Sequence, residues 1–244
     1  MAGTVTGRAS NRWAKDEEYT IPFYQEVAAK MAEIHAYTGS RKRDPHGAHP
    51  HTGMYADGLY WSRQWEYPWA LESAELVQPD GKPVDDIKEL KVLDVGCGHA
   101  PFLVYLGQMG CQAYGSDPGA DKSSVRIDGL WGYFDANFGK PWVKELRQEG
   151  MEKLSWPDNY FDRVFCLSVI EHVSPSAAKA GVKKMKRVLK PGGLLVISVD
   201  NGERHELIIN TAQMPFYGGQ DAKQPGPCPF PHIYAILGMV FQKP

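Results

Sequence analysis

The sequence has no long apolar run. Its longest aliphatic stretch, Leu-Leu-Val-Ile at 194–197, falls far short of the roughly 20 apolar residues that span a bilayer. No membrane partner is therefore expected. A dominant charge of either sign is also missing: 27 Lys and Arg stand against 29 Asp and Glu, a formal net charge of -2. No global field favours nucleic acid or an anionic lipid surface, and neither is expected as a partner. Cysteine is scarce. Cys97, Cys111, Cys166 and Cys228 form no Cys-x-x-Cys pair, and three of them fall in stretches that read as strand or strand end. Buried free thiols in a reducing compartment are the expectation. The opening residues, Met-Ala-Gly-Thr-Val-Thr-Gly, hold no apolar segment of the secretory kind, so a cytoplasmic location is expected. No internal repeat and no low-complexity tract is visible.

What remains is an ordinary globular composition, 43% hydrophobic and 23% charged over 244 residues. That length supports one sizeable core, or a core with a small accessory region. Residues 1–88 read as a mostly helical lead-in. A helix is expected from Pro22, capped by Thr20 and ended by Gly39, with Phe23, Val27, Met31 and Ile34 on one face. A polar loop with His46, His49 and His51 follows, read as a Pro- and Gly-rich connection in preference to a metal site. An aromatic stretch then carries Trp61, Trp65, Tyr67 and Trp69. Gln78 to Pro83 reads as a turn.

From residue 89 onward the pattern alternates between strand and helix. Strands are expected at 91–96, 111–117, 162–170, 194–200 and near the C-terminus. Helices are expected after Pro101 and after Ser174, the latter with Ala178, Val182, Met185 and Leu189 inward and Lys-Pro-Gly-Gly breaking it at 190–193. The cationic run 183–187 reads as a solvated helix face. Alternation of this kind predicts an α/β fold with a mostly parallel sheet covered by helices on both faces.

In such sheets, ligands sit beyond the carboxyl ends of the strands. Asp94, Asp117 and the stretch 168–171 all fall at such ends. Gly96 and Gly98 leave bare backbone beside Asp94, and the helix after Pro101 offers free N–H groups. The third glycine of a dinucleotide fingerprint is absent, since Pro101 occupies its place. The acid before the glycines repels a pyrophosphate and attracts a ligand bearing an ammonium and a sulfonium. Asp117 suits a bidentate grip on ribose hydroxyls.

Four motifs, Val-Leu-Asp-Val-Gly-Cys-Gly at 92–98, Tyr-Gly-Ser-Asp-Pro at 114–118, residues 154–173 and Leu-Lys-Pro-Gly-Gly-Leu-Leu-Val-Ile-Ser-Val at 189–199, occur in order. Together they resemble class I S-adenosylmethionine-dependent methyltransferases, over roughly residues 90–200. The resemblance implies a Rossmann-like sheet with a helical N-terminal cap. It implies S-adenosylmethionine as cofactor, and methyl transfer to an oxygen or nitrogen of a small-molecule acceptor. It further implies that Asp94, Gly96, Gly98 and the backbone of Cys97 hold the methionine part. Asp117 holds the ribose in that scheme, with Pro118 near the adenine and Met151 flanking it. Leu167 and Ser168 face the amino end. Gly150 stands where the family commonly has an acid, which leaves adenine recognition to backbone groups or Glu152.

In this family the segment before the first core strand often folds over the cofactor. Arg63 is then expected to pair with the cofactor's carboxylate, and Trp65, Tyr67 or Trp69 to reach the sulfonium or a cationic substrate. His172 is the candidate general base, and His99 a candidate cover for the cofactor. Some ubiquinone-pathway relatives bind a divalent metal through an acid three residues before a Glu-His pair. Ser168 occupies that place here, and no metal is expected. Two further readings stand beside the main one: a protein acceptor, and a cofactor-binding partner protein without turnover. The second rests on the weak patterning after Asp200.

Overall fold

The computed structural model describes residues 11–37, 61–98, 101–118, 142–218 and 236–244. They build a seven-stranded sheet ordered β1-β7-β6-β5-β2-β3-β4. The strands are β1 (Arg12–Trp13), β2 (Lys91–Val95), β3 (Gln112–Ser116), β4 (Val143–Arg147), β5 (Phe161–Leu167), β6 (Leu189–Asp200) and β7 (Ile236–Gln242). From β4 to β6 all neighbours are parallel. β7 runs antiparallel to β6, and β1 antiparallel to β7. The helices are α1 (Pro22–Tyr37), α2 (Trp61–Ser73), α3 (Pro101–Met109), α4 (Pro175–Val188) and α5 (His205–Ala212).

Strand side chains alternate between two cores, as a period of two requires. Val92, Ala113, Phe165, Leu167, Leu194, Val196 and Val240 face one way, against α1, α2 and α3. Leu93, Val95, Val164, Cys166, Leu195, Ile197, Met239 and Phe241 face the other, with α4 and α5. Both faces of the sheet are thus covered, and the expected architecture is present.

Local chemistry explains the element ends. Ser174 caps α4 by accepting from the Ala177 amide at 3.2 Å, and Pro175 occupies the first turn. The buried face of α4 is Ala178, Gly181, Val182, Met185 and Val188. A Cβ on Gly181 would lie 2.5 Å from Met151 Sδ, so this glycine is what lets Met151 pack beneath the helix. α1 starts at Pro22, and Thr20 ends the 3-10 turn (Asp16–Thr20) just before it. Tyr24 joins Val27, Met31 and Ile34 in the core, while Phe23 is partly buried. Gly39 and the three loop histidines lie outside the described residues.

Two expectations are corrected. Lys190–Gly193 does not separate helix from strand. Leu189 already pairs with Phe161, and the next paired residue is Leu194, so the four residues between them form a bulge inside β6. The run 183–187 is not simply solvated. Lys186 donates to the Ala212 carbonyl at 2.7 Å, and Arg187 donates to Leu154 O at 2.6 Å and Trp156 O at 2.9 Å. These cations tie α4 to the end of α5 and to the segment before β5.

The lead-in contributes to the sheet as well as covering it. Past β1, the buried Asn11 continues the ladder with its side chain. Its Nδ2 donates to Tyr217 O at 2.7 Å, and its Oδ1 accepts from the Val240 amide at 2.7 Å. Asn11→Ala leaves a buried backbone N–H without an acceptor. The expected loss is about 1–3 kcal/mol of unfolding free energy, measured by urea denaturation.

Candidate functional site

The strands β2, β3, β5 and β6 end at one edge of the sheet, and the acids expected at their tips are there. Asp94 and Asp117 are both buried. Between them runs the glycine loop. The amides of Gly96 and Cys97 donate to Ser116 O at 2.7 and 3.1 Å. The Gly98 amide donates to Asp117 Oδ2 at 3.0 Å. These three hydrogen bonds join the glycine loop of the first motif to the second motif.

The two glycines serve different needs. Gly96, at φ 73°, packs its α-carbon against Val169; a Cβ there would lie 2.6 Å from Val169 Cγ1. Gly98, at φ 55°, has nothing among the described residues within 4 Å of a would-be Cβ. Its backbone faces open space, where a ligand can approach.

Helix α2 closes the other side. Arg63 and Glu66 form an ion pair one turn apart, and Glu66 is fully buried. Glu66 Oε1 accepts from Ser168 Oγ at 2.6 Å and also from Ser198 Oγ. Ser168, at the tip of β5, adopts φ 48°, a left-handed conformation that costs a non-glycine residue energy and recurs at functional sites. Its hydroxyl lies 3.4 Å from Asp200 Oδ1 at the tip of β6. Asp200 N donates to Glu171 Oε1 at 2.9 Å.

Carboxylates dominate this edge. Burial pushes Asp94 up to about 7; Arg63 works against that rise, and Asp117 and Glu66 add to it. Burial likewise raises Glu171 to about 7 despite the hydrogen bond from Asp200 N. Asp200 is raised by burial and by Glu66, against the pull of Arg63 and His172. Burial opposes the charge on Arg63, but Glu66, Tyr67 and Asp200 together outweigh it and keep the guanidinium ionised. A crevice holding more anions than cations is electrostatically suited to a cationic ligand and unsuited to a pyrophosphate. The bare backbone at Gly98 and the paired aspartates thus fit S-adenosylmethionine, with its sulfonium and ammonium.

The other expected residues distribute as follows. Cys97 is half-buried, and Pro118 is exposed beside Asp117. Met151 is buried under α4, and the Glu152 carboxylate folds back over Gly150, 2.6 Å from where a Cβ would stand. Leu167 is buried in the core on the α2 side. Trp65 and Trp69 are fully buried and stacked on each other at 5.1 Å, so they hold α2 to the sheet and do not line the crevice. Tyr67 stacks on Phe102 at 5.0 Å, with the Arg63 guanidinium 6.0 Å from its ring. His172 is exposed, and His99 lies outside the described residues.

Sequence reasoning missed Glu66 and Asp200. Asp200 ends a strand as Asp94 does, and the same strand-tip rule would have found it. Glu66 had a fainter signal: an acid three residues after Arg63 in an otherwise aromatic segment. Glu171, His172 and Asp200 bring ligand-capable atoms within 4.8 Å of one another. The acid absent at position 168 thus has a neighbour of similar chemistry on β6.

Residues 93–197 match a methyltransferase-domain family model. A ubiquinone biosynthesis O-methyltransferase of Bradyrhizobium sp. (strain ORS 278) is 28% identical over 123 residues, covering 50% of this chain and 44% of that protein. A probable methyltransferase, ltbC, of Aspergillus luteorubrus is 34% identical over 119 residues, covering 47% and 41%. The chain spans under half the length of these relatives. Among solved structures, the [4+2]-cyclase SpnF superposes with a TM-score of 0.58 at 16% identity, covering 91% of this chain and 97% of that one. That likeness concerns the fold. No helix among the described residues is long and apolar enough to cross a membrane.

The raised Asp94 gives a pH test. In the folded chain its proton leaves near pH 7; in the unfolded chain it leaves in the ordinary carboxylate range. Its contribution to stability is therefore lost as pH rises between those values. Asp94→Asn is expected to stabilise the ligand-free protein by about 2–4 kcal/mol near pH 8 and by clearly less near pH 5, in urea titrations at the two pH values.

Proposed function

From its membership of the class I S-adenosylmethionine-dependent methyltransferases, we propose that this protein transfers the cofactor's methyl group to an oxygen or nitrogen of a small molecule. The single observation that carries the reading is the pair of buried aspartates at adjacent strand tips, joined through the Gly98 amide beneath an open glycine loop.

S-adenosylmethionine supplies a methyl group already activated on a positively charged sulfur. The chain's task is then alignment of the acceptor for in-line displacement, and exclusion of water. We assign the methionine part to Asp94, Gly96, Gly98 and the Cys97 backbone. Arg63, Leu167 and Ser168 take its amino-acid end. Asp117 takes the ribose, with Pro118, Met151 and Glu152 around the adenine. Asp94 sits where an ammonium would convert a half-protonated acid into a paired one. Residues 1–88 serve in this reading as a cap on the methyltransferase domain of residues 89–244.

An oxygen acceptor is favoured, since a relative over the same core is named an O-methyltransferase. A hydroxyl must lose its proton as it attacks, and His172 is the group assigned to take it. It is exposed in the 3-10 turn that follows β5, with the Asp200 carboxylate beside it.

Titration calorimetry with S-adenosylmethionine tests the cofactor. Detection of S-adenosylhomocysteine with a panel of phenolic, alcoholic and amine acceptors tests turnover. Binding without product from any acceptor class would favour a partner protein, and product with a protein substrate alone would move the acceptor class. Absence of binding would sink the reading. With a hydroxyl acceptor, His172→Ala is expected to lower kcat by about 100-fold or more and to flatten the acid limb of the pH–rate profile. An unaltered profile removes His172 as the base.

A further inference from the structure

We infer that Glu66 is a positioning residue for recognition of the cofactor's amino-acid end. The inference rests on the proposed use of S-adenosylmethionine. A fully buried carboxylate is costly, and apolar packing would seal α2 to the sheet more cheaply. Glu66 is nonetheless buried at the ligand edge, and its two oxygens have separate work. Oε1 gathers the hydroxyls of Ser168 and Ser198, from the adjacent strands β5 and β6. Oε2 takes Arg63 Nη1.

Two of these partners stand at the ligand edge. Through Glu66 the guanidinium is tied to Ser168, at the tip of β5, whose hydroxyl lies 3.4 Å from Asp200 Oδ1 at the tip of β6. It is a quarter exposed, 24%, and Nη1 alone is engaged by Glu66. The remaining N–H groups of the fork are the ones suited to a carboxylate. Ser168 is fixed in a left-handed conformation that the hydrogen bond to Glu66 helps to hold. Glu66 therefore orients a donor for a carboxylate and a hydroxyl for the amino end without touching the ligand itself.

A positioning role of this kind makes a selective prediction. 5′-Methylthioadenosine carries the nucleoside and sulfur of the cofactor but not its amino-acid end. Glu66→Gln keeps the side chain's shape and an oxygen for the serines, and removes the charge that orients Arg63. It is expected to weaken S-adenosylmethionine binding by about tenfold or more. Binding of 5′-methylthioadenosine is expected to stay within about twofold, the scale of a peripheral change. Arg63→Gln should show the same selectivity, and the double variant no further loss, because one residue acts through the other. If Glu66→Gln does not fold, Ser198→Ala removes one anchor of Oε1 and should give a smaller loss with the same selectivity. Equal losses for both ligands, or none for either, overturn the inference. Wild-type protein that binds neither ligand instead overturns the cofactor reading, so the two failures are distinguishable.

Discussion

The constraint on which the site depends is the gathering of carboxylates at one end of a parallel sheet with few cations to meet them. Asp94, Asp117, Glu66 and Asp200 belong to four different elements. They converge because β2, β3 and β6 end together and α2 lies across them. A sheet of this kind places every strand's last residue on the same side, so short polar side chains at those positions become neighbours whatever their separation in sequence. In the free protein burial, and after it the neighbouring carboxylates, raise Asp94, Glu171 and Asp200 and so disfavour their charged forms. An arrangement of this type favours a ligand that arrives with positive charge.

Much of this was legible beforehand, and for a physical reason. Strands such as Lys91–Val95 and Phe161–Leu167 are buried on both faces, so they appear as apolar runs that stop on a polar residue. The glycine loop is legible because glycine is called for twice, for different reasons: Gly96 leaves no room for a Cβ against Val169, and Gly98 takes a left-handed φ. Helix α4 is legible through its Ser-Pro start and the spacing of its inward face. These are local signals, carried by consecutive residues.

What escaped is what depends on distant partners. Nothing near Trp65 and Trp69 says whether an aromatic side chain lines a ligand or fills a core; their mutual stacking and their seat against the sheet decide it. Lys186 and Arg187 look like solvent-facing charges until the carbonyls of Ala212, Leu154 and Trp156 are brought to them. The role of Glu66 is invisible until Ser168 and Ser198, more than a hundred residues away, are adjacent. Beyond Asp200, β7 is well buried and α5 buries Ile208 and Ala212, and both supply part of the second core. Among the described residues, the weak patterning there therefore does not mark a degenerate fold.

The outermost strand pair carries a consequence for biosynthesis. Arg12 lies opposite Gly238, and Asn11 holds the amide of Val240. In synthesis β1 emerges more than two hundred residues before its partner β7. Until β7 has emerged, α2 lacks part of its lining and the margin of the sheet stays unzipped. Closure of this margin accordingly waits on one of the most non-local pairings in the fold, and the interval before it is when the polypeptide has most need of chaperone shelter.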